Sequence, residues 1–192
     1  MSYEYLVASL PMCFFGEPPP MSTAELRARC AEQLNGRDLA TLDRLLASAG
    51  DPDAPGFEGA WTARERQLRA AIAAARAPRY GADPRAVRPP HPGWDQLVET
   101  GVADAFALPT PLEREQALDR VRWHVLEELT PRDPFTAEAI FVYALKLRIA
   151  ERWAARSDDQ GRQRFDEALA ALLRGAAPES VSETSQPLKQ VS

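Results

Sequence analysis

The chain has 192 residues, of which 45% are hydrophobic and 27% are charged, and its formal net charge is −5. These values are typical of one globular domain that buries its own core. The net charge is negative and the sequence has no cluster of basic residues, which argues against nucleic-acid binding.

The first predicted element is the apolar stretch YLVASLPMCFF, residues 5–15. No positive charge precedes it, which argues against a signal peptide, and Pro11 interrupts a run much shorter than the roughly 20 residues of a membrane-spanning helix. We therefore expect this stretch to pack inside a soluble, cytoplasmic protein. Its residues leave open whether it is a short helix or an extended segment.

Two helices are predicted next. Ser22 and Glu25 have the spacing of a capping box, in which each side chain bonds a backbone amide near the other residue. Asn35-Gly36 is typical of a helix end. A second helix is expected at about residues 38–48, followed by a loop at residues 51–59 that is rich in Pro, Gly and Asp.

A second capping box, Thr62 with Glu65, predicts a helix that runs to about residue 77. Four prolines indicate a loop at residues 79–93, and a short helix is expected at residues 94–106.

Thr110 predicts a further helix start, since Pro111 stands at the first helical position and Glu113 has capping-box spacing. The apolar stripe of this helix consists of Leu118, Val121, Val125 and Leu129.

The helix predicted at about residues 136–156 is apolar around most of its first three turns, so we expect it at the centre of the fold. A break at residues 158–161 and a last helix at residues 165–174 follow. The remainder, residues 175–192, has the composition of a disordered tail. The sequence thus predicts an all-α helical bundle at residues 1–174 with a disordered tail.

Catalytic and metal-binding candidates are scarce. His91 lies in a predicted loop, and His124 shares a helix face with Glu127 but has no second histidine pair to complete a metal site. The two cysteines, Cys13 and Cys30, are expected to be free thiols. We predict no catalytic residue, no metal and no cofactor.

Ligand motifs are scarce as well. The sequence has no glycine-rich phosphate loop. Because 21 of the 23 basic residues are arginines and alanine is frequent, we attribute the arginines to codon bias and not to a phosphate site. We accordingly predict no small-molecule substrate.

Charges at Arg148, Glu151 and Arg152 interrupt the apolar pattern of the central helix. One interpretation is intramolecular: Arg148 pairs with Glu151, and Arg152 extends along the edge of the core. The other is a partner interface formed by Arg148, Arg152 and Trp153, because arginine and tryptophan are favoured interface anchors.

Four segments, taken together and in order, resemble a bacterial family of unknown function encoded in V-type ATPase operons. The first is residues 3–11, and the second is residues 61–77, with Glu65, Arg69 and Arg76-Ala77. The third comprises Pro111-Leu112-Glu113, Leu118-Asp119 and Arg122-Trp123. The fourth comprises Phe135, Ile140, Tyr143, Leu145-Lys146-Leu147, Glu151-Arg152-Trp153, Gly161 and Phe165.

The resemblance implies a non-catalytic, subunit-C-like part of the ATPase, at the cytoplasmic face of the inner membrane. There it would link the central stalk to the membrane rotor ring. Two alternatives remain open at this point. One is an assembly or regulatory adaptor of the same complex, and the other is a small helical enzyme or ligand-binding protein with a polar pocket near His124 or Cys30.

Overall fold

The structure is a computed structural model in which residues 3–86 and 95–156 are described. Within these ranges it contains helices and no strand, and the helices belong to one compact unit that ends at Ala155. The all-α prediction is therefore confirmed. The α-helices are α1 (Glu4–Ala8), α2 (Thr23–Gln33), α3 (Gly36–Leu46), α4 (Phe57–Arg76), α5 (Gln96–Ala107), α6 (Pro111–Glu128) and α7 (Ala137–Ala154), and a short 3-10 helix (Ala77–Tyr80) extends α4.

Helix α7 lies at the centre, as its apolar pattern predicts. It packs against α2, α3 and α6. Ile140, Ala144 and Leu147 have no exposed surface, and Leu145 is also buried. A helix that contacts neighbours on several sides needs apolar residues around most of its circumference.

Helices α4, α5 and α6 form a second group of mutually packed helices. The closest approach is at Gly101 of α5, where even a methyl group would overlap with the side chain of Val121 of α6. Small residues here allow the two helices to pack closely, and α6 then connects this group to α7.

The N-terminal segment packs on the core. It contains helix α1, followed by a stretch without regular secondary structure, so the question left open by the sequence is answered as a short helix at Glu4–Ala8. Leu6 is fully buried, and the backbone amide of Tyr3 donates to the carbonyl of Phe135 at 2.7 Å. In the stretch that follows α1, Cys13 and Phe15 pack on the core. The Phe15 ring lies edge-on to Trp123, with 5.5 Å between the ring centroids.

Helix α2 ends just before Asn35-Gly36, as predicted, but Asn35 has a second role that the prediction missed. Asn35 is the N-cap of α3, because its side-chain oxygen accepts the amide of Asp38 at 2.9 Å. The last residue of helix α2 is Gln33, and its C-cap is Leu34 in an extended conformation. Asparagine is favoured at both kinds of helix end, so the residue type could not decide between them.

Ser22 forms only half of its predicted capping box. Its hydroxyl accepts the amide of Glu25, but the Glu25 carboxylate binds Arg29 one turn further along. Thr110 and Glu113, in contrast, form the complete reciprocal box that the sequence predicts at the start of α6.

The predicted helix start at Thr62 is also wrong. Helix α4 begins at Phe57, so Thr62 lies in its second turn. Phe57 and Trp61 are both buried, and the Phe57 ring lies against Phe141 of α7 at 5.9 Å between centroids. This packing extends the helix into a segment whose prolines and glycines predict a loop.

Several predictions fall outside the described residues and are not discussed further. They are most of the proline-rich loop with His91, the break at 158–161, the helix at 165–174, the domain boundary at 174 and the tail at 175–192. In the part that the structure describes, every helix is too short or too polar to span a membrane.

Candidate functional site

The most deeply buried charge among the described residues is Asp119 on α6, which is 1% exposed. Its carboxylate accepts bonds from Arg122, one turn along the same helix, at 2.9 Å and from Arg152 of α7. The indole nitrogen of Trp153 donates to its second oxygen at 2.8 Å. A buried carboxylate is tolerated only with such partners, so Asp119 joins α6 to the end of α7.

Arg122 connects this carboxylate to a second one. Its guanidinium binds both oxygens of Glu65 on α4, at 3.0 and 3.2 Å. Burial lowers the pKa of Arg122, but the charges of Glu65 and Asp119 and the bonds to them outweigh this and raise it overall. Glu65 also accepts a bond from Arg69 at 3.2 Å, so three helices are linked by one chain of ion pairs.

Arg148 is directed to the end of another helix. Its Nη1 donates to the carbonyl oxygens of Leu45 and Leu46 at 2.9 Å and to the hydroxyl of Ser48 at 3.0 Å. These acceptors lie at the C-terminus of α3, where a cation is favourable. Burial lowers the pKa of Arg148, and the positive charges of nearby arginines lower it further against the opposite effect of Glu65.

Glu151 meets the opposite end of a different helix. Its two oxygens accept the backbone amide and the hydroxyl of Thr23, both at 2.7 Å, at the first residue of α2. An anion at a helix N-terminus is the counterpart of the cation at the end of α3. Helix α7 thus places a positive charge at the C-terminus of α3 and a negative charge at the N-terminus of α2, and each charge is favourable with the dipole of that helix.

The structure brings together the three residues predicted as a partner interface. Arg148, Glu151 and Arg152 all bind within the chain, as the intramolecular interpretation predicts. The predicted partners are wrong, because Arg148 and Glu151 each bind another helix and form no pair among the described ion pairs. Arg152 keeps 40% of its side chain exposed, and Trp153 is half-buried. Their role at an interface stays a prediction.

A cleft opens beside these ion pairs. It has a volume of about 390 Å³, and a smaller cleft of about 180 Å³ shares part of its wall. Its charged lining consists of Glu65, Arg69, Arg122, Arg148 and Arg152. We call the four arginines and this cleft the arginine cleft. Apolar side chains, among them Trp61 and Ile149, form the rest of the wall.

His124 lines a separate groove of about 440 Å³ between α5 and α6, with more apolar than polar surface. Its predicted neighbour Glu127 accepts a bond from Trp123 at 2.9 Å. In the described ranges no three His, Cys, Asp or Glu side chains lie close enough to hold a metal ion. Cys13 and Cys30 are free thiols, as expected, and Cys30 is fully buried.

Residues 55–176 match the family model described as a protein of unknown function, DUF2764. The chain belongs to this family. No curated protein and no solved structure matches the chain. The DUF2764 match begins just before α4, so the N-terminal segment quoted for the resemblance precedes it.

The arginine cleft lies within the part matched by DUF2764, except where Leu46 and Ser48 at the end of α3 contribute. Sequence reasoning missed Asp119, Arg122 and Glu65 as a unit, although each belongs to a quoted motif. A signal was present: Asp119 follows Leu118 at the edge of an apolar stripe, where a carboxylate needs a buried partner.

Proposed function

We propose that the chain is a non-catalytic helical subunit of a bacterial V-type ATPase, subunit-C-like, that links the central stalk to the membrane rotor. The support for this identity is the ordered set of motifs that resembles a family encoded in V-type ATPase operons. In this role the protein works by binding other subunits at the cytoplasmic face of the inner membrane.

The observation that carries a binding role is the exposure of large apolar side chains in the N-terminal segment. Tyr5 is 78% exposed, Met12 74% and Phe14 51%. Met12 and Phe14 alternate with Cys13 and Phe15, which pack on the core, so the segment is held in place while two apolar side chains face outward. Three exposed apolar side chains within ten residues of one anchored segment are the basis for a protein-binding surface here, since clustered exposed apolar groups mark such surfaces and single ones do not.

Affinity purification of the tagged chain from its own bacterium tests this proposal. Stalk or rotor subunits of the V-type ATPase should co-purify with the wild-type chain, and the double variant Met12→Ser/Phe14→Ser should recover much less of them. The matched control is Tyr80→Ser/Leu112→Ser, which removes two exposed apolar side chains from other elements. Normal helical circular dichroism of both variants would show that they fold.

The outcomes separate the candidates. Recovery of assembled ATPase that depends on Met12 and Phe14 supports the subunit role. Recovery of only partly assembled complexes would favour an assembly or regulatory adaptor. A wild-type chain that remains a free monomer in cells with an intact ATPase would contradict both.

A second test concerns the predicted interface at Arg148, Arg152 and Trp153. Because Arg152 and Trp153 both bind Asp119, the pair Arg152→Glu/Trp153→Ala disturbs the fold as well as the surface. The informative change is therefore Arg152→Gln, which keeps a hydrogen-bond donor for Asp119. Loss of co-purification by a folded Arg152→Gln chain would place Arg152 in the interface, and unchanged recovery would remove it.

A further inference from the structure

The arginine cleft has more positive than negative charge, in a chain that is acidic overall. Four arginines line it, and two carboxylates balance them: Glu65 on the wall and Asp119 behind it. The cluster therefore has an excess of two positive charges, whereas the whole chain has a formal net charge of −5. The abundance of arginine in the chain does not indicate an anion site by itself, but four arginines around one cleft do.

Several guanidinium N–H groups in the cleft have no acceptor within the described residues. Arg148 uses Nη1 for the end of α3, which leaves Nη2 and Nε without a bonded partner. Arg152 uses Nη2 for Asp119, and Arg69 uses Nε for Glu65. Each arginine carries five N–H donors in a planar fork, so the three side chains retain donors for a ligand.

The positions of these donors are fixed by the bonds that the arginines already make. Arg148 is held by the α3 carbonyls, and Arg122 is held between two carboxylates with only 16% of its side chain exposed. Arg122 and Arg148 are at the same time the two guanidinium groups most withdrawn from water in the lining. Pre-organised cations in a partly dry site bind an anion more strongly than mobile surface cations do.

We propose that the arginine cleft binds a phosphate-type dianion, either inorganic phosphate or the phosphate group of a small organic monoester. An excess of two positive charges matches a dianion better than a single carboxylate. The planar guanidinium fork fits phosphate oxygens in a bidentate manner. A cavity of about 390 Å³ falls in the size range of small-ligand sites, about 300–1,000 Å³.

This inference differs from the sequence-based expectation that no small molecule binds. It does not rest on the N-terminal surface that carries the proposed ATPase role, although Arg148 and Arg152 belong both to the cleft and to the predicted partner interface. The variant that tests the cleft is therefore made at Arg69, which lies outside that predicted interface. The positive charges of Arg69, Arg122 and Arg152 also act on Arg148 and lower its pKa, as expected where like charges face one space.

Isothermal titration of the full chain at low ionic strength tests the proposal. Inorganic phosphate should bind saturably with one site per chain, whereas chloride at the same ionic strength should not. Adenosine monophosphate and adenosine distinguish the sources. Tighter binding of the monophosphate than of phosphate assigns the site to an organic monoester, and equal or weaker binding assigns it to the free ion. Adenosine that binds as well as its monophosphate would overturn the proposal.

The decisive variant is Arg69→Gln, with Arg29→Gln as its matched control. Both arginines are exposed and bind a glutamate four residues before them, but only Arg69 lines the cleft. Arg69 is 62% exposed, so its replacement should leave the fold intact. We expect Arg69→Gln to weaken phosphate binding by about tenfold, which corresponds to about 1.4 kcal/mol, because the site loses one charge-assisted hydrogen bond.

Arg29→Gln should leave phosphate affinity unchanged. The proposal is overturned if phosphate gives no saturable binding at millimolar concentration, or if the two variants bind phosphate equally well. Binding that persists in Arg69→Gln at full affinity would locate the anion elsewhere on the chain and would count against the cleft.

Discussion

The indole nitrogen of Trp153 donates to Oδ2 of Asp119 at 2.8 Å, which joins the last turn of α7 to the middle of α6. The same carboxylate binds Arg122 and Arg152 through its other oxygen. Asp119 is therefore a junction between two helices and not a surface charge. Its removal would leave two arginines and an indole without their shared acceptor.

We predict that Asp119→Ala lowers the free energy of unfolding by about 3–5 kcal/mol, because Arg122, Arg152 and Trp153 all lose their shared buried acceptor and Arg122 keeps only Glu65 as a counter-charge. Asp119→Asn should cost less, since the amide oxygen still accepts a bond from Trp153. Urea unfolding followed by far-ultraviolet circular dichroism measures both changes. The control is Asp104→Ala on α5, which is exposed and should change stability by at most about 0.5 kcal/mol. Equal effects of the Asp104 and Asp119 changes would contradict this role.

Much of the helical pattern follows from local sequence. The box at Thr110 and Glu113 predicts the start of α6 because both partners lie within four residues of each other. The apolar circumference of α7 predicts its central place. Local signals fail to predict a helix boundary where a contact distant in sequence determines it. This is the case for the start of α4, whose first turn depends on Phe57 packing against Phe141.

The candidate site shows the same limit. The charges on α7 attract attention in the sequence because they interrupt an apolar helix. Their partners do not, since Leu45 lies 103 residues before Arg148 and Thr23 lies 128 residues before Glu151. The i, i+3 spacing suggests a pair between Arg148 and Glu151. Tertiary packing instead places Arg148 at the C-terminus of α3 and Glu151 at the N-terminus of α2. The cleft itself exists only because three helices place arginines around one space.

Glu58, in the first turn of α4, gives the stability of the protein a predictable pH dependence. It is 6% exposed, and it accepts bonds from Arg44 at 2.8 and 2.7 Å. The bond to Arg44 lowers the pKa of the Glu58 carboxyl, against the opposing effect of burial. A carboxyl whose pKa is lower in the folded state binds protons less readily there than in the unfolded chain.

The stabilisation by Glu58 is therefore present above the unfolded pKa of about 4.3 and is lost as the pH falls through the lowered folded value. We expect Glu58→Gln to be less stable than wild type at pH 7, with the difference narrowing below about pH 4.3. Urea unfolding at pH 7, 5, 4 and 3 measures this. A difference between the two proteins that stays constant over the series would show that the charge of Glu58 does not contribute.

The two thiols should react at different rates with a thiol reagent such as dithionitrobenzoate. Cys30 has no exposed surface, and burial raises its pKa to about 11. Cys13 is half-buried, and burial raises its pKa as well, against the opposing charge of Lys146. Because the thiolate is the reactive form, both thiols should react slowly in the native protein at pH 8.

We expect Cys13 to react first and Cys30 to react only when the chain unfolds. In Cys13→Ser the native reaction should almost disappear, and in Cys30→Ser it should be unchanged. Addition of urea should let the Cys30 thiolate attack the reagent disulfide as well, which releases one further equivalent of the thionitrobenzoate anion in wild type. Rapid native labelling of the Cys13→Ser chain would show that the region around Cys30 opens readily.

The contact between Gly101 and Val121 predicts a coupled pair of core changes. A Cβ atom at Gly101 would overlap with Cγ2 of Val121. Gly101→Ala should therefore separate α5 from α6 and cost about 1–3 kcal/mol by overpacking, despite the higher helix propensity of alanine. Val121→Ala removes the obstructing methyl groups, so the double variant should lose clearly less stability than the sum of the two single changes.

A double-mutant cycle by urea unfolding measures this coupling between Gly101 and Val121, and Gly36→Ala serves as the control. Gly36 is the first residue of α3, and a Cβ atom added there has no other atom within 4 Å. That substitution should be neutral or stabilise the protein by up to about 1 kcal/mol, because alanine restricts the unfolded chain. Strict additivity of the Gly101 and Val121 changes would mean that the helices do not meet at this point, since two residues in direct contact cannot respond independently.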